Sequence, residues 1–335
     1  MISHARYLTK VRLFLYGFFT VIFLVSLLPG NATAAEVWKL GNILPDGNIL
    51  TEEAKFLGKQ FSEKTNGEFS IKVYPLTLGN ERDITEGLQL GTVDMAQISA
   101  GVMSAFCPEA AVFNLPFIFR NWDHLEKVLT SDAARELGDI FLKKTKIRVL
   151  GWMEQGFRVT MTSKRPIEKV ENFQGLKIRV PEDKVLVRTF ELLGAKPTVI
   201  PWGEVYTALQ TGLVEAMEAT PPGIYSMKFY EVTNYLTITN HQHSVVGVLI
   251  RESLWKKLKP ETQKALQSAV DEMLKLNYKE APSNSDLMLM KLVMNNKVTY
   301  NPDLAPFQKA VESLYGEFGG ETGTSDLIAK IRAIK

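Results

Sequence analysis

The sequence predicts an α/β chain folded as two lobes of like construction, and three observations lead there. Strand-like and helix-like segments alternate in short units from residue 36 onward, the signature of an α/β layer with parallel strands. A helix–Gly–strand joint then occurs twice. LQLGTVD (88–94) and LQTGLVE (209–215) agree at Leu, Gln, Gly and Val and both end on an acid. Each copy is preceded by a strand ending in proline, VYP and VIP, and then by a loop and a helix. Finally, GFRVTMTS (156–163) and HSVVGVLI (243–250) read as strands that carry the chain from one lobe to the other and back. No Pro/Ser-rich or low-complexity stretch lies between them, so the crossings suit a hinge better than a flexible linker.

The first 34 residues stand apart. MISHARYLTKVR carries Arg6, Lys10 and Arg12 and no acid; LFLYGFFTVIFLVSLL (13–28) is uncharged and almost wholly apolar. Ala32 and Ala34 occupy the positions a signal peptidase reads, which is the order of an export signal cut between Ala34 and Ala35. Its apolar run falls short of the ~20 residues that a spanning helix needs. Losing the three basic residues takes the formal net charge from +2 to −1, which leaves no electrostatic footprint for nucleic acid. The chain is 45% hydrophobic and 23% charged, ordinary for a globular protein with a proper core.

EVWKLGNIL (36–44) reads as the first strand, running into a Pro45/Gly47 loop. Residues 51–65 follow as a helix with Ala54, Leu57 and Phe61 on one stripe, ended by Asn66–Gly67. FSIKVYP (69–75) alternates as a strand, 81–90 forms a helix stopped by Gly91, and VDMAQIS (93–99) is the next strand. IRVLGWM (147–153) is another. In GLKIRVP (175–181), Leu176, Ile178 and Val180 alternate on one face while Lys177 and Arg179 take the other. Beyond Pro260 the pattern turns helical, with Ala265, Leu266, Ala269, Val270, Met273 and Leu274 at helical spacing. DLMLMKLVM (286–294) continues that helix, and its methionines read as packing groups. Two shorter helices, about 304–318 and 325–334, end the chain.

Little of this sequence looks catalytic. It contains no GxxxxGK[ST] and no GxGxxG after a strand. Cys107 is the only cysteine, so the monomer forms no internal disulfide, and without a close histidine it reads as a buried bystander. His241 and His243 form HQH, but no close cluster supplies the further ligands that zinc needs. Acidic pairs on the helices do not single out two carboxyls held across a cleft. What remains is a set at strand ends. Arg158 in GFRV and Arg179 in KIRV each stand opposite apolar neighbours, and Trp202 in IPWGEVY falls between a strand and a helix, where open α/β sheets present ligand sites. Singly, each also reads as a salt-bridged surface arginine or a core tryptophan. Together they describe an anion clamp with an aromatic wall, because a guanidinium meets a carboxylate with two parallel hydrogen bonds.

An ordered series of motifs carries a family resemblance: YPLTLGNERDITEGLQLGTVDMA, FCPEAAVFNLPFIF, GFRVTMTSKRPI, FQGLKIRVP, LLGAKPTVIPWGEVYTALQTGLVEAME and KFYEVTNYLTITNH. Across nearly all of the chain after residue 34, the sequence resembles the extracytoplasmic solute-binding subunits of TRAP (tripartite ATP-independent periplasmic) transporters. The resemblance implies a two-lobed, type II-like periplasmic binding protein fold with a β-strand hinge and a long bracing helix. Lobe I is expected over 36–156 plus about 245–284, and lobe II over 157–244 plus about 285–335. It further implies a periplasmic, non-enzymatic protein that needs no cofactor or metal. Such a protein captures a small carboxylate between the lobes and hands it to small and large membrane subunits for ion-gradient-driven uptake; a same-fold protein could instead serve an ABC permease or a sensor kinase.

By the same resemblance Arg179 binds the ligand carboxylate, Arg158 is a second polar contact and Trp202 packs over the ligand. Asn42 matches the family's early-loop asparagine, and Ser99 ends the VDMAQIS strand. Some sialic-acid binders of the family carry asparagine where this chain has Ala219 and an acid where it has Ser99, so a simpler or more apolar carboxylate fits better. Glu218 is open to two readings, lining the crevice or making structural bonds.

Overall fold

Alternation along EVWKLGN turns Trp38 and Leu40 inward and makes β1 (Glu36–Asn42). The structure is a computed structural model that describes residues 35–295 and 298–335, so the export segment read over 1–34 lies outside the described residues. α1 (Ile49–Lys64) starts at Asn48, whose side chain accepts the Leu50 N–H at 3.1 Å. Leu50, Ala54, Leu57 and Phe61 form its buried stripe, and Phe61 packs its ring on Trp38 and on Phe69 of β2 (Phe69–Pro75). A reciprocal capping box of Asn80 and Asp83 opens α2 (Glu81–Leu90), and Gly91 at φ 82° closes it. β3 (Met95–Ser99) then runs parallel to β1. Three helices, α3 (Ala100–Phe106), α4 (Trp122–Leu129) and α5 (Asp132–Thr145), lead to β4 (Ile147–Phe157).

The second half is built from β5 (Val159–Thr162), β6 (Lys177–Val180), α6 (Lys184–Leu192), β7 (Lys196–Val199), α7 (Val205–Gln210), β8 (Ala216–Ala219), α8 (Pro221–Ser226) and β9 (Tyr235–Thr237). The chain returns along β10 (His243–Arg251) and a short α9 (Glu252–Trp255). It finishes with α10 (Pro260–Asn295), β11 (Val298–Tyr300), α11 (Ala305–Val311), α12 (Leu314–Thr322) and α13 (Ser325–Ala333). The helix expected over 304–318 is thus divided in two.

Two sheets result, ordered β2-β1-β3-β10-β4 and β11-β9-β5-β8-β6-β7. Both are mixed, which corrects the expectation of parallel strands. β10 runs antiparallel to β3 and β4, and β5 runs antiparallel to β8 and β9. The reason is topological. These two strands bring the chain in from the other lobe, so each enters at the carboxyl end of the parallel strands and runs against them. The register agrees, setting Val246 opposite Ser99 and Val159 opposite Ala219. A second correction concerns GFRVTMTS, expected as one strand. β4 continues through Phe157 and β5 begins at Val159, leaving Arg158 at the break between the sheets. Its N–H donates to Gln242 O at 2.8 Å, tying the two crossings together.

α10 braces both lobes. Leu266, Ala269, Val270 and Met273 enter the core around β1, β3 and β10, while Leu292 joins the core of the second sheet. Along the free edge of β4 its side chains replace a missing strand. Gln267 donates to Leu150 O (3.0 Å), Tyr278 to Trp152 O (2.7 Å), and Asn277 pairs with both the N–H and the C=O of Glu154 (2.7 and 3.0 Å). Residues 37–335 form one compact unit. Among the described residues no helix is long and apolar enough to cross a membrane.

Candidate ligand-binding site

Strands β1, β3, β6 and β8 point their carboxyl ends toward a cavity of about 510 Å³ between the two sheets, the position at which α/β sheets hold ligands. Asn42, Ser99, Arg158, Arg179, Trp202 and Ala219 all line it. Glu218 does not. It is fully buried behind Arg158.

Arg179 sits in β6 between β7 and β8. Its neighbours Ile178 and Val180 are core residues, yet Arg179 itself is only 2% exposed. Its fork is anchored at one point, where Nε donates to Ile200 O at 2.9 Å. The guanidinium lies 5.3 Å from the Trp202 ring centroid, within cation–π range, and Nη1 finds no hydrogen-bond partner among the described residues. Burial pushes this arginine down to about 9, still charged at neutral pH, with Glu218 and Glu81 pulling the other way.

Arg158 is in a different state. Its Nη2 donates to Glu218 Oε1 at 2.7 Å and to Glu218 O at 3.1 Å, its Nε meets Glu218 Oε2, and its Nη1 lies 3.3 Å from Ser244 Oγ. His241 completes the group, with Nε2 3.1 Å from Glu218 Oε2 and Nδ1 2.8 Å from Thr239 Oγ1. Burial pushes the Glu218 carboxyl up, but the charge and hydrogen bonds of Arg158, helped by His241, outweigh it and hold the group at about 2. Arg158 is thus neutralised by a carboxylate, whereas Arg179 makes no ion pair among the described residues.

Several cavity residues escaped the sequence reading. Glu81 opens α2 and accepts from both the N–H and the hydroxyl of Ser99, the latter at 3.0 Å. Burial raises its carboxyl, while the Ser99 bonds and both arginines lower it. An acid therefore stands at Ser99 after all, supplied from a helix start that follows the proline-ended strand. That shared location at a strand–loop–helix joint was the available signal. Gln97, Gln155, Thr220 and Ser244 also line the cavity, together with Leu44, Leu50, Val102 and Val246. Asn42 faces the cavity with its amide engaged, Nδ2 on Gln97 Oε1 (2.6 Å) and Oδ1 on the Leu44 N–H (2.5 Å). Trp202 leans edge-on against Phe229 at 5.0 Å, and its Nε1 has no partner among the described residues.

Cys107 is buried beside Glu109, and desolvation pushes its thiol up to about 12. His241 and His243 go to different surroundings. The latter packs edge-on between Trp122 and Phe157, both at 4.7 Å, and burial holds its imidazole down at about 3. No group of three metal-ligating side chains occurs among the described residues.

Comparison with known proteins points to one family of solute-binding proteins. The chain is 33% identical over 317 residues to the sialic acid-binding periplasmic protein SiaP of Vibrio cholerae, covering 94% of this chain and 98% of that protein. A TRAP periplasmic solute-binding protein from Sulfurospirillum deleyianum, solved with bound succinate, superposes with a TM-score of 0.85 at 32% identity, covering 90% of this chain and all of that one. Another from Xanthobacter autotrophicus, solved with β-D-galacturonate, gives a TM-score of 0.85 at 28% identity over 89% of this chain and 100% of that one. The model of the bacterial extracellular solute-binding protein family 7 matches residues 40–321, and the chain belongs to that family.

Proposed function

We propose that this protein captures a small organic acid in the cleft, with the ligand carboxylate received by Arg179, and delivers it to TRAP membrane subunits for ion-gradient-driven uptake. The observation that carries the reading is the difference between the two cavity arginines: Arg158 already holds a carboxylate, and Arg179 does not. A charge-assisted hydrogen bond contributes about 1.5–3 kcal/mol, and micromolar affinity corresponds to about −8 kcal/mol. Two such bonds to Arg179 supply a large share, with Trp202 and lobe closure adding the rest. The remainder of the ligand lies between apolar Leu44, Leu50, Val102 and Val246 and polar Gln97, Gln155, Thr220 and Glu81. That mixture suits an acid with a short carbon skeleton and hydroxyls or a second acid group.

On this reading the protein works in the periplasm after its leader over 1–34 is cleaved, and it turns nothing over. Lobe I spans 36–156 plus about 245–284 and lobe II spans 157–244 plus about 285–335, moving about the Arg158 and Gln242 crossings. A thermal-shift panel of succinate, D-erythronate, D-galacturonate and D-glucuronate, with the uncharged parents of each as controls, tests the class of ligand. An acid at a hundred times its Kd adds about 2.7 kcal/mol, or about 5 °C in a chain of this size. Equal protection by the uncharged parents contradicts the proposal.

A further inference from the structure

Two side-chain bridges cross the cleft. In one, Asn48 at the start of α1 donates from Nδ2 to Ser226 Oγ at 3.2 Å and to Pro222 O at 3.4 Å, both in α8. In the other, Arg82 of α2 reaches Glu182, which follows β6. Its Nε lies 3.1 and 2.9 Å from the two carboxylate oxygens, and Nη2 is bonded to Oε1 as well. Both members of this ion pair line the cavity. Arg82 is preset by its own lobe. Its guanidinium lies 5.3 Å from the Phe106 ring centroid, and Nη1 is 3.6 Å from Glu86, one turn along the same helix. Glu86 can therefore keep the arginine partnered when Glu182 withdraws. Glu182 forms its only ion pair among the described residues with Arg82.

We propose that Arg82–Glu182 is a latch that holds the lobes closed and sets the rate of ligand release. Arg82 shares Glu86 with its own helix and gains Glu182 when the lobes meet; the trapped molecule leaves after that gain is undone. The proposal rests on the reading of the cleft as a ligand site. The two side chains are 41% and 39% exposed, so salt screens their attraction. No hydrogen bond or ion pair links either residue to Arg179 among the described residues, so the latch acts on how long the lobes stay closed over an acid.

The test compares the wild type with Arg82→Gln, Glu182→Gln and the charge-swapped Arg82→Glu/Glu182→Arg. Spin labels at Glu68→Cys and Lys196→Cys, both exposed and in different lobes, read the interlobe distance with and without succinate, D-erythronate or D-galacturonate. Stopped flow reads dissociation of any acid that binds. Each single variant is expected to shift the population toward longer distances and to speed dissociation about three- to tenfold. Molar NaCl does the same to the wild type and little to the variants, and the swapped pair recovers at least half of the effect. The latch is overturned if neither distances nor rates move, or if the swapped pair behaves like the single variants. A wild type that binds none of the acids refutes the proposed function separately, because distances in the ligand-free protein still read the latch.

Discussion

Arg158 and Glu218 form a two-pronged ion pair inside the protein, and the carboxylate they share with His241 belongs to the cleft's supporting layer and not to its lining. Removing one partner strands the other. Glu218→Ala is expected to cost about 3–5 kcal/mol in urea denaturation. Replacing both with apolar residues of similar volume, Arg158→Met with Glu218→Leu, should cost less than the single change. A double variant worse than Glu218→Ala would remove the ion pair as the cause.

Stability should depend on pH in two windows with opposite signs. Glu218 is held at about 2 in the fold against 4.5 as the reference value, so its contribution is complete above 4.5 and is lost as pH falls toward 2. Glu53 and Glu154 behave in reverse. Burial raises both to about 8; Glu53 accepts from Asn277 at 3.0 Å, and Glu154 Oε1 has no partner among the described residues. Their contribution is complete below 4.5 and is lost as pH rises through 8. Each pKa unit corresponds to about 1.4 kcal/mol, so the urea midpoint should fall measurably between pH 5 and pH 8. Glu53→Gln combined with Glu154→Gln should flatten that slope.

Gly58 places α1 against β2 at backbone distance. A Cβ there meets Ile71 O at 2.9 Å, and main chain cannot step aside as a flexible side chain does. Gly58→Ala is expected to destabilise by about 1–3 kcal/mol through overpacking, despite its better helix propensity. An increase in the urea midpoint would contradict that contact.

Trp202 serves the site through its ring. Trp202→Ala should weaken binding of a protective acid by about five- to thirtyfold through the lost cation–π and apolar contact. Trp202→Phe keeps a π face over Arg179 and should lose less. Titration calorimetry separates the two; equal losses would assign the effect to the packing of Phe229 instead.

Much of this architecture was legible because local signals agreed. Asn66–Gly67 and Gly91 mark helix ends that the structure places within one residue of expectation. The repeated LQ-x-G-x-V joint did mark equivalent helix–strand units, α2–β3 and α7–β8, one in each sheet. Other features depended on distant contacts. Nothing near Arg158 announces Glu218 sixty residues on, so the pattern alone made Arg158 and Arg179 look alike. Nor does strand alternation reveal direction, which here follows from where β5 and β10 enter their sheets. Glu81 and Gln97 were missed because a helix start and a strand interior look structural until the loops converge.

Titration calorimetry on Arg179→Ala, with the acid that protects the wild type most in the thermal-shift panel, tests the central claim most directly. The account predicts a variant that still folds, with unchanged secondary structure, and no measurable heat of binding. An affinity within threefold of the wild type would mean that another group receives the carboxylate, and the account would fail.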